Sequence, residues 1–275
     1  MAQQTWSGIE ALRQRPIEHA LLKTYHDLIE ELLRLVGHGL IFAPDPAAFF
    51  TGHCDRVVAK LLGCLRQTYG SAHPGLVDQQ AAGLAALLSG LSDVVQSDIE
   101  AALREDPATA DPLEVFFCYP GFKAVLAHRV AHVFHRQGLP LLPRMIAERA
   151  HEQSGIDIHP ASVIGSHFFI DHGSGVVIGA TSIIGNHVTL YQGVTLGAKR
   201  FQRDAQGAVV KGQPRHPVLE DHVTVYSGAS ILGRITIGSG SIIGGNVWLT
   251  ESVPSGSRIS QSRYQSGFFK DGDGI

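Results

Sequence analysis

Residues 218–250 read VLEDHVTVYSGASILGRITIGSGSIIGGNVWLT, and within them Leu219, Val225, Ile231, Ile237, Ile243 and Leu249 recur at every sixth position. An amphipathic helix repeats every ~3.6 residues and a half-buried strand every second residue, so neither sustains a period of six. Six residues are enough for one short strand and one turn. Three such repeats close a triangular coil whose strands stack about 4.8 Å apart. Four residues after each anchor stands a small or β-branched residue, as at Val223, Ala229, Ile235, Ser241 and Val247. Both sets are expected to point inward. The predicted coil is a left-handed parallel β-helix, an exception to the right-handed crossover of most parallel strands.

Toward the N-terminus the same period holds at Ile158, Ile164 and Ile170, slips by two residues, and resumes at Ile178, Ile184, Leu190 and Leu196. The inward partners expected here include Ser174, Ser182, Val188 and Val194. Segment 197–217 is too polar and too long to be a hexad and reads as a loop thrown out from one corner. Long loops on rigid solenoids tend to carry function. Before Ile158 the apolar residues follow helical spacing, as in Leu21-Leu22, Tyr25, Leu28-Ile29, Leu32-Leu33 and Leu35-Val36. Helices are predicted over 18–43, 46–69, 75–105, 120–137 and 140–153, with Pro and Gly between them. Only 12 of the 31 glycines fall in residues 1–156, so the turn-rich part is the C-terminal one. The fold class is therefore α+β. An α-helical domain is expected over 1–155, a β-helix over 156–256 with loop 197–217, and a flexible C-terminal tail over 257–275.

A chain of 275 residues with 44% apolar content can bury a sizeable core without covalent staples. Its net charge of −3 offers no cationic surplus for phosphates or an anionic bilayer, so nucleic acid and membrane are not expected partners. Three cysteines (Cys54, Cys64, Cys118) without a CxxC pair imply neither a disulfide framework nor a structural zinc site. No apolar run of about 18 residues and no basic stretch leading into an apolar core occur, and the expected location is cytoplasmic.

Acyl transfer to a hydroxyl needs a base, a group that orients it, and donors for the developing oxyanion. Histidines in or beside the coil are His159, His167, His172, His187, His216 and His222. His172 follows Asp171 immediately before the two-residue slip, where the wall of the coil must bend. Asp157 comes fifteen residues earlier, three short of a full eighteen-residue coil, which places it near the same corner one layer below. There it could hold the imidazole tautomer; the competing reading is that these are polar residues decorating turns. Arg215-His216-Pro217 closes the long loop, with Pro fixing the backbone and the Arg fork suited to a carboxylate, or simply solvated. His128, His132 and His135 share one helical face at a spacing that can bind metal, yet no carboxylate or Cys completes the set, so helix packing is expected. Cys118, between Phe117 and Tyr119, reads as a buried small hydrophobe rather than a nucleophile.

Asp157-Ile158-His159-Pro160-Ala161, Asp171-His172-Gly173, Tyr191-Gln192-Gly193-Val194-Thr195-Leu196-Gly197, Arg215-His216-Pro217 and Ile231-Leu232-Gly233 occur in this order. Together they resemble the serine O-acetyltransferase family of hexapeptide-repeat transferases, over approximately residues 100–255 and the extreme C-terminus. The resemblance implies transfer of acetyl from acetyl-CoA to the hydroxyl of L-serine, giving O-acetylserine for cysteine biosynthesis. It implies that His172 is the general base, oriented by Asp157, with His216 and Arg215 at the serine subsite. It further implies that Asp106 and Asp171 grip the serine amino group, and that acetyl-CoA, as co-substrate, lies near Gly197, Ala198, Ser227 and Gly245, with no metal. Family active sites lie between subunits, which implies a homotrimer or a dimer of trimers. The tail ending at Ile275 is implied to insert into O-acetylserine sulfhydrylase. Two departures from the family pattern stand out: Gly179-Ala180-Thr181 replaces the usual Gly-Glu-Thr, and the turn after Leu196 becomes Ala198-Lys199-Arg200-Phe201 and a longer loop.

Three other readings remain. One is an acetyltransferase for a different hydroxyl, such as homoserine, a sugar or an antibiotic; Asp106 with Arg215 argues for an amino acid acceptor. Another is a carbonic anhydrase-like β-helix with zinc held by histidines such as His167 and His172, or His216 and His222. The third is a non-catalytic scaffold, which the pairing of Asp157 with His172 argues against.

Overall fold

A hexad leaves room for strands of two or three residues, and strands of that length build the coil in the computed structural model, which describes residues 19–50, 55–69, 84–139, 141–201 and 203–261. Fourteen short strands are distributed in rotation over three parallel faces. The first face holds β1 (Asp157–Ile158), β4 (Val177–Ile178), β7 (Thr195–Gly197), β10 (Ser230–Leu232) and β13 (Trp248–Leu249). The second holds β2 (Val163–Ile164), β5 (Ile183–Ile184), β8 (Val218–Leu219) and β11 (Thr236–Ile237). The third holds β3 (Phe169–Ile170), β6 (Thr189–Leu190), β9 (Thr224–Val225), β12 (Ile242–Ile243) and β14 (Arg258–Ile259). This is the left-handed parallel β-helix that the hexads predict. Anchor sits on anchor through the layers: Ile158 on Ile178, Ile178 on Leu196, Leu196 on Ile231, and Ile231 on Leu249. Every anchor from Ile158 to Ile243 is buried, and Leu249, at the open end, is partly covered.

Two expectations about the coil are corrected. Ser174 does not point inward; it is exposed, and the buried Val176 takes its place. The two extra residues of the slip bulge outward, and the ladder closes behind them as Val177 N–H bonds Val194 O. The coil also runs past residue 256, because β14 pairs with β12. Its anchor Ile259 stacks on Ile243, which makes the last turn two residues shorter than a regular one, and so it falls out of phase with the hexads. Residues beyond Gln261, including Ile275, lie outside the described residues.

The helical part comprises α1 (His19–Phe42), α2 (Pro46–Phe49), α3 (Asp55–Tyr69), α4 (Leu84–Ser89), α5 (Ser92–Glu105), α6 (Pro112–Cys118), α7 (Pro120–Arg136) and α8 (Leu142–Ser154). Its core joins Ile29, Leu32 and Val36 of α1 to Leu61 and Leu65 of α3, Val95 of α5, and Val130 and Phe134 of α7. The single helix expected over 75–105 is divided within its described part, α4 and α5 being separated at Gly90-Leu91; residues 75–83 lie outside the described residues. Helix α6 was not anticipated. Its signal was Asp111-Pro112, where the Asp111 carboxylate accepts the Leu113 N–H and Pro occupies the first turn. Cys118, expected to be buried, is exposed at the end of that helix.

Helices and coil are bolted together through α5 and α7. At Gly121, near the start of α7, a Cβ atom would lie 2.1 Å from Ile170 O, so only glycine lets the helix approach strand β3 this closely. Deeper in, Asp98 of α5 and Arg129 of α7 form a buried fork-to-carboxylate pair with both contacts at 3.1 Å. Arg129 also donates to Ile164 O and Gly165 O, each at 2.6 Å, and Asp98 accepts the Phe168 N–H at 3.0 Å. His132 Nδ1 donates to Pro160 O at 2.8 Å, so the histidine face of α7 packs on the coil. The long loop leaves β7 at Gly197 and returns at β8, folding on itself through a bridge between Arg203 and Val209.

Candidate active site

The first face has two edges, and the candidate residues divide between them. At the edge where the chain enters from the third face, the slip carries His172 outward. Its backbone is left-handed (φ 55°) and its side chain is 73% exposed, with Nε2 3.7 Å from Asp171 Oδ2. Layers above Asp171, at equivalent positions, come Tyr191 and Tyr226, whose rings stack 4.9 Å apart. Helix α5 ends against this edge and delivers Asp106. Its carboxylate accepts the Tyr119 hydroxyl at 2.6 Å and the Ala108 N–H at 2.8 Å. The Tyr119 bond, then the Ala108 bond, and more weakly the neighbouring His172, hold Asp106 below the usual carboxylate range. Burial and the Asp106 carboxylate push Tyr119 up to about 12, so it stays a donor. Two carboxylates thus flank an exposed imidazole.

Asp157 lies on the outer side of the first face, paired with Val177, and its carboxylate is one of the charges that act on His159. It makes no hydrogen bond to His172 in the single chain.

The other edge, where the chain leaves for the second face, carries His216 and Arg215. His216 is 7% exposed and pressed over Gly179, where a Cβ would fall 2.2 Å from Nε2. Its Nδ1 accepts the Thr181 backbone N–H at 3.0 Å and faces Thr181 Oγ1 at 2.9 Å. Burial first, then the charges of Arg215, His159 and Arg234, push its pKa down to about 4. His216 is therefore a neutral donor through Nε2 at ordinary pH, a role different from that of a base. Arg234 pins the corner by donating to Thr181 O at 2.6 Å and His216 O at 3.1 Å. Beside it, a cavity of about 390 Å³ is lined by Lys199, Arg200, Arg215 and Arg234, cations that suit phosphate groups. Gly197 and Ala198 precede these residues. Ser227 and Gly245 sit at the opposite, entry edge in adjacent layers, where a Cβ on Gly245 would lie 3.2 Å from Ser227 O.

No family model matches the chain. The serine acetyltransferase of Helicobacter pylori is 42% identical over 165 residues, which cover 60% of this chain and 91% of that protein. The chain belongs to the serine acetyltransferase family. A plasmid serine acetyltransferase of Synechococcus elongatus is 54% identical over 208 residues, 74% of this chain and 65% of its own length. The Mycobacterium tuberculosis serine acetyltransferase is 46% identical over 160 residues, 58% of this chain and 66% of its own. The chain thus spans just under two thirds of these last two relatives. Among solved structures, serine acetyltransferase 1 of Entamoeba histolytica in complex with L-cysteine superposes with a TM-score of 0.74 at 30% identity, covering 88% of this chain and 100% of that one. Serine acetyltransferase of Neisseria gonorrhoeae in complex with serine gives 0.59 at 27% identity, covering 87% of this chain and 95% of that one.

Set in a serine acetyltransferase fold, Tyr119, Thr181 and Arg234 join the residues picked out from the sequence. Thr181 had a signal, since it ends the Gly-Ala-Thr triplet that departs from the family pattern. Tyr119 and Arg234 had none, because each acts through a contact remote in sequence. The histidines imagined as zinc ligands lie apart: His167 and His222 are on the third corner, stacked with His187 between them at ring separations of 4.2 and 4.7 Å. His172 and His216 occupy the other two corners, so neither imagined pair shares a corner.

Proposed function

We propose that the chain is a serine O-acetyltransferase that moves acetyl from acetyl-CoA to the hydroxyl of L-serine. The observation that carries this reading is the meeting of Asp106, Asp171 and the exposed His172 at one edge of the coil, in a chain of this family. Paired carboxylates suit the ammonium group of an amino acid, and an accessible imidazole suits removal of a hydroxyl proton. In the proposed step the serine oxygen attacks the thioester carbonyl carbon as His172 takes its proton. The C–S bond then breaks, and the proton passes to the departing sulfur of coenzyme A. Family resemblance supports Asp157 as the group that orients His172. Arg215 and the Nε2–H of His216 are proposed to hold the serine carboxylate.

Because these two donors sit at the opposite edge of the first face from His172, the proposed site closes between two copies of the chain. A rotation that closes on itself, as in a homotrimer or a dimer of trimers, brings the exit edge of one copy to the entry edge of the next. The proposed coenzyme residues divide in the same way, Gly197 and Ala198 on one edge and Ser227 and Gly245 on the other. Among the described residues no helix is long and apolar enough to cross a membrane, and a cytoplasmic setting is part of the proposal.

An acceptor screen tests the function: acetyl-CoA is mixed with each free amino acid or a sugar, and thiol release is followed. Serine is expected to be the preferred acceptor; release with homoserine or a sugar but not with serine overturns the reading. At the subsite, Arg215→Ala is expected to raise the KM for serine ~10–100-fold, the value of a charge-assisted hydrogen bond, and the KM for acetyl-CoA by less than about two-fold. An unchanged serine KM removes Arg215 from the site.

O-acetylserine sulfhydrylase is proposed as the partner of the C-terminal Ile275. Burying an isoleucine side chain contributes roughly 1.5–3 kcal/mol, and backbone capture of the terminal carboxylate adds specificity. Deleting Ile275 is expected to weaken binding to the sulfhydrylase about ten-fold or more in calorimetry while acetyl transfer continues. Equal affinity with and without it counts against this partner.

A further inference from the structure

We infer that Thr181 is a positioning residue that fixes the tautomer of His216 and so makes that ring a hydrogen-bond donor toward the acceptor amino acid. The inference rests on the proposed serine site and adds to it the residue that sets the polarity of one of its edges.

The hydrogen-bonding capacity of Thr181 is accounted for at this corner. A backbone N–H can only donate, so the 3.0 Å contact from Thr181 N to His216 Nδ1 makes Nδ1 an unprotonated acceptor. The Thr181 hydroxyl oxygen accepts the Arg215 N–H at 2.9 Å and the His216 N–H at 3.1 Å. Its one proton is then directed to Nδ1, 2.9 Å away. A neutral imidazole that accepts at Nδ1 carries its proton on Nε2. That atom has no partner among the described residues and is not one of the sealed polar atoms of the protein. It lies over Gly179, where any side chain would collide with the ring. The charged groups facing the ring, Arg215 and Arg234, and the nearby His159 all oppose its protonation, as does burial. The ring is thus held neutral with its N–H presented. The same hydroxyl fixes the backbone of Arg215, so one side chain sets both donors proposed for the serine carboxylate.

The test uses two substitutions and one direct measurement. Thr181→Val keeps the shape and the backbone N–H on Nδ1, and removes the hydroxyl that adds a second donor to Nδ1 and anchors the Arg215 and His216 backbones. It is expected to raise the serine KM about ten-fold, the range of a lost neutral hydrogen bond, with the acetyl-CoA KM unchanged within about two-fold. Thr181→Ser, which restores the hydroxyl, is expected to return serine KM to within about two-fold of the parent. Because Thr181 acts partly through the ring and partly through the Arg215 backbone, adding Thr181→Val to His216→Ala should raise the serine KM by clearly less than Thr181→Val does alone. Full additivity, or equal losses for both substrates, overturns the inference. Nitrogen-15 histidine NMR on the unmodified protein, with His216 assigned by its absence in His216→Ala, reads the tautomer without relying on a folded Val variant. Between about pH 6 and 8, Nδ1 must be bare and Nε2 protonated; a proton on Nδ1 overturns the inference. Failure of the unmodified protein to acetylate serine would refute the function while leaving the tautomer readable, so the two failures are distinct.

Discussion

His172→Ala is expected to lose ~10²–10⁴-fold in kcat, the contribution of a positioned general base, with little change in thermal midpoint. The two halves of that expectation have one cause. The slip holds the side chain 73% exposed, with Asp171 as its nearest charged group, so truncation removes a base and very little packing. The backbone at His172 is left-handed, with φ 55°, and asparagine tolerates that conformation better than alanine. His172→Asn therefore serves as the companion variant: it keeps the turn and lacks the basicity, and it should lose activity to the same degree. If transfer is direct, with no acetyl-enzyme, Cys118→Ala keeps the parent rate, although Cys118 is exposed. Steady-state thiol release with saturating serine and acetyl-CoA measures all three. A His172→Ala protein that turns over at the parent rate removes the base from the mechanism.

The coil was legible because its physics is local. A buried anchor every six residues is required by a strand of two residues and a turn, and Leu219 through Ile243 stack as that period demands. Counting anchors in threes also assigns each histidine to a corner, since Ile170 precedes the corner of His172 and Leu219 follows that of His216. Reading failed where the period is broken. Two extra residues exchange Ser174 for Val176 inside the coil, and two missing ones hide Ile259. The site was legible only in part, because its orienting contacts join distant segments. Nothing near Asp106 announces that Tyr119 will bond it, and nothing near His216 announces that Thr181, thirty-five positions earlier, will occupy Nδ1. The pairing expected between Asp157 and His172 rested on coil arithmetic, which places two residues at one corner but does not aim their side chains.

Asp98→Ala is expected to cost about 3–5 kcal/mol, the range for removing one partner of a buried ion pair. For a domain of this size that lowers the thermal midpoint on the order of 10 °C. Asp98 and Arg129 are 2% and 6% exposed, so truncating the carboxylate leaves a buried guanidinium with no counter-charge. It also orphans the Phe168 N–H that Asp98 accepts. Asp98→Asn keeps an acceptor for Phe168 but not the charge, and should recover only part of the loss. The contrast is Arg144 with Glu148, an ion pair on α8 with both side chains nearly half exposed. There Glu148→Ala should change stability by less than about 0.5 kcal/mol, because water and salt already screen the pair. The buried pair also reaches the proposed site. Helix α5 carries Asp98 in its body and hands the chain to Asp106 at its end, while Arg129 ties it to the coil at Ile164 and Gly165. Loosening that tie lets Asp106 drift from His172, so Asp98→Asn is expected to raise the KM for serine at temperatures well below its melting point, with the KM for acetyl-CoA less affected. Thermal scanning beside steady-state kinetics checks both effects. A midpoint for Asp98→Ala no lower than that of Glu148→Ala would show that the pair does not hold the helices to the coil.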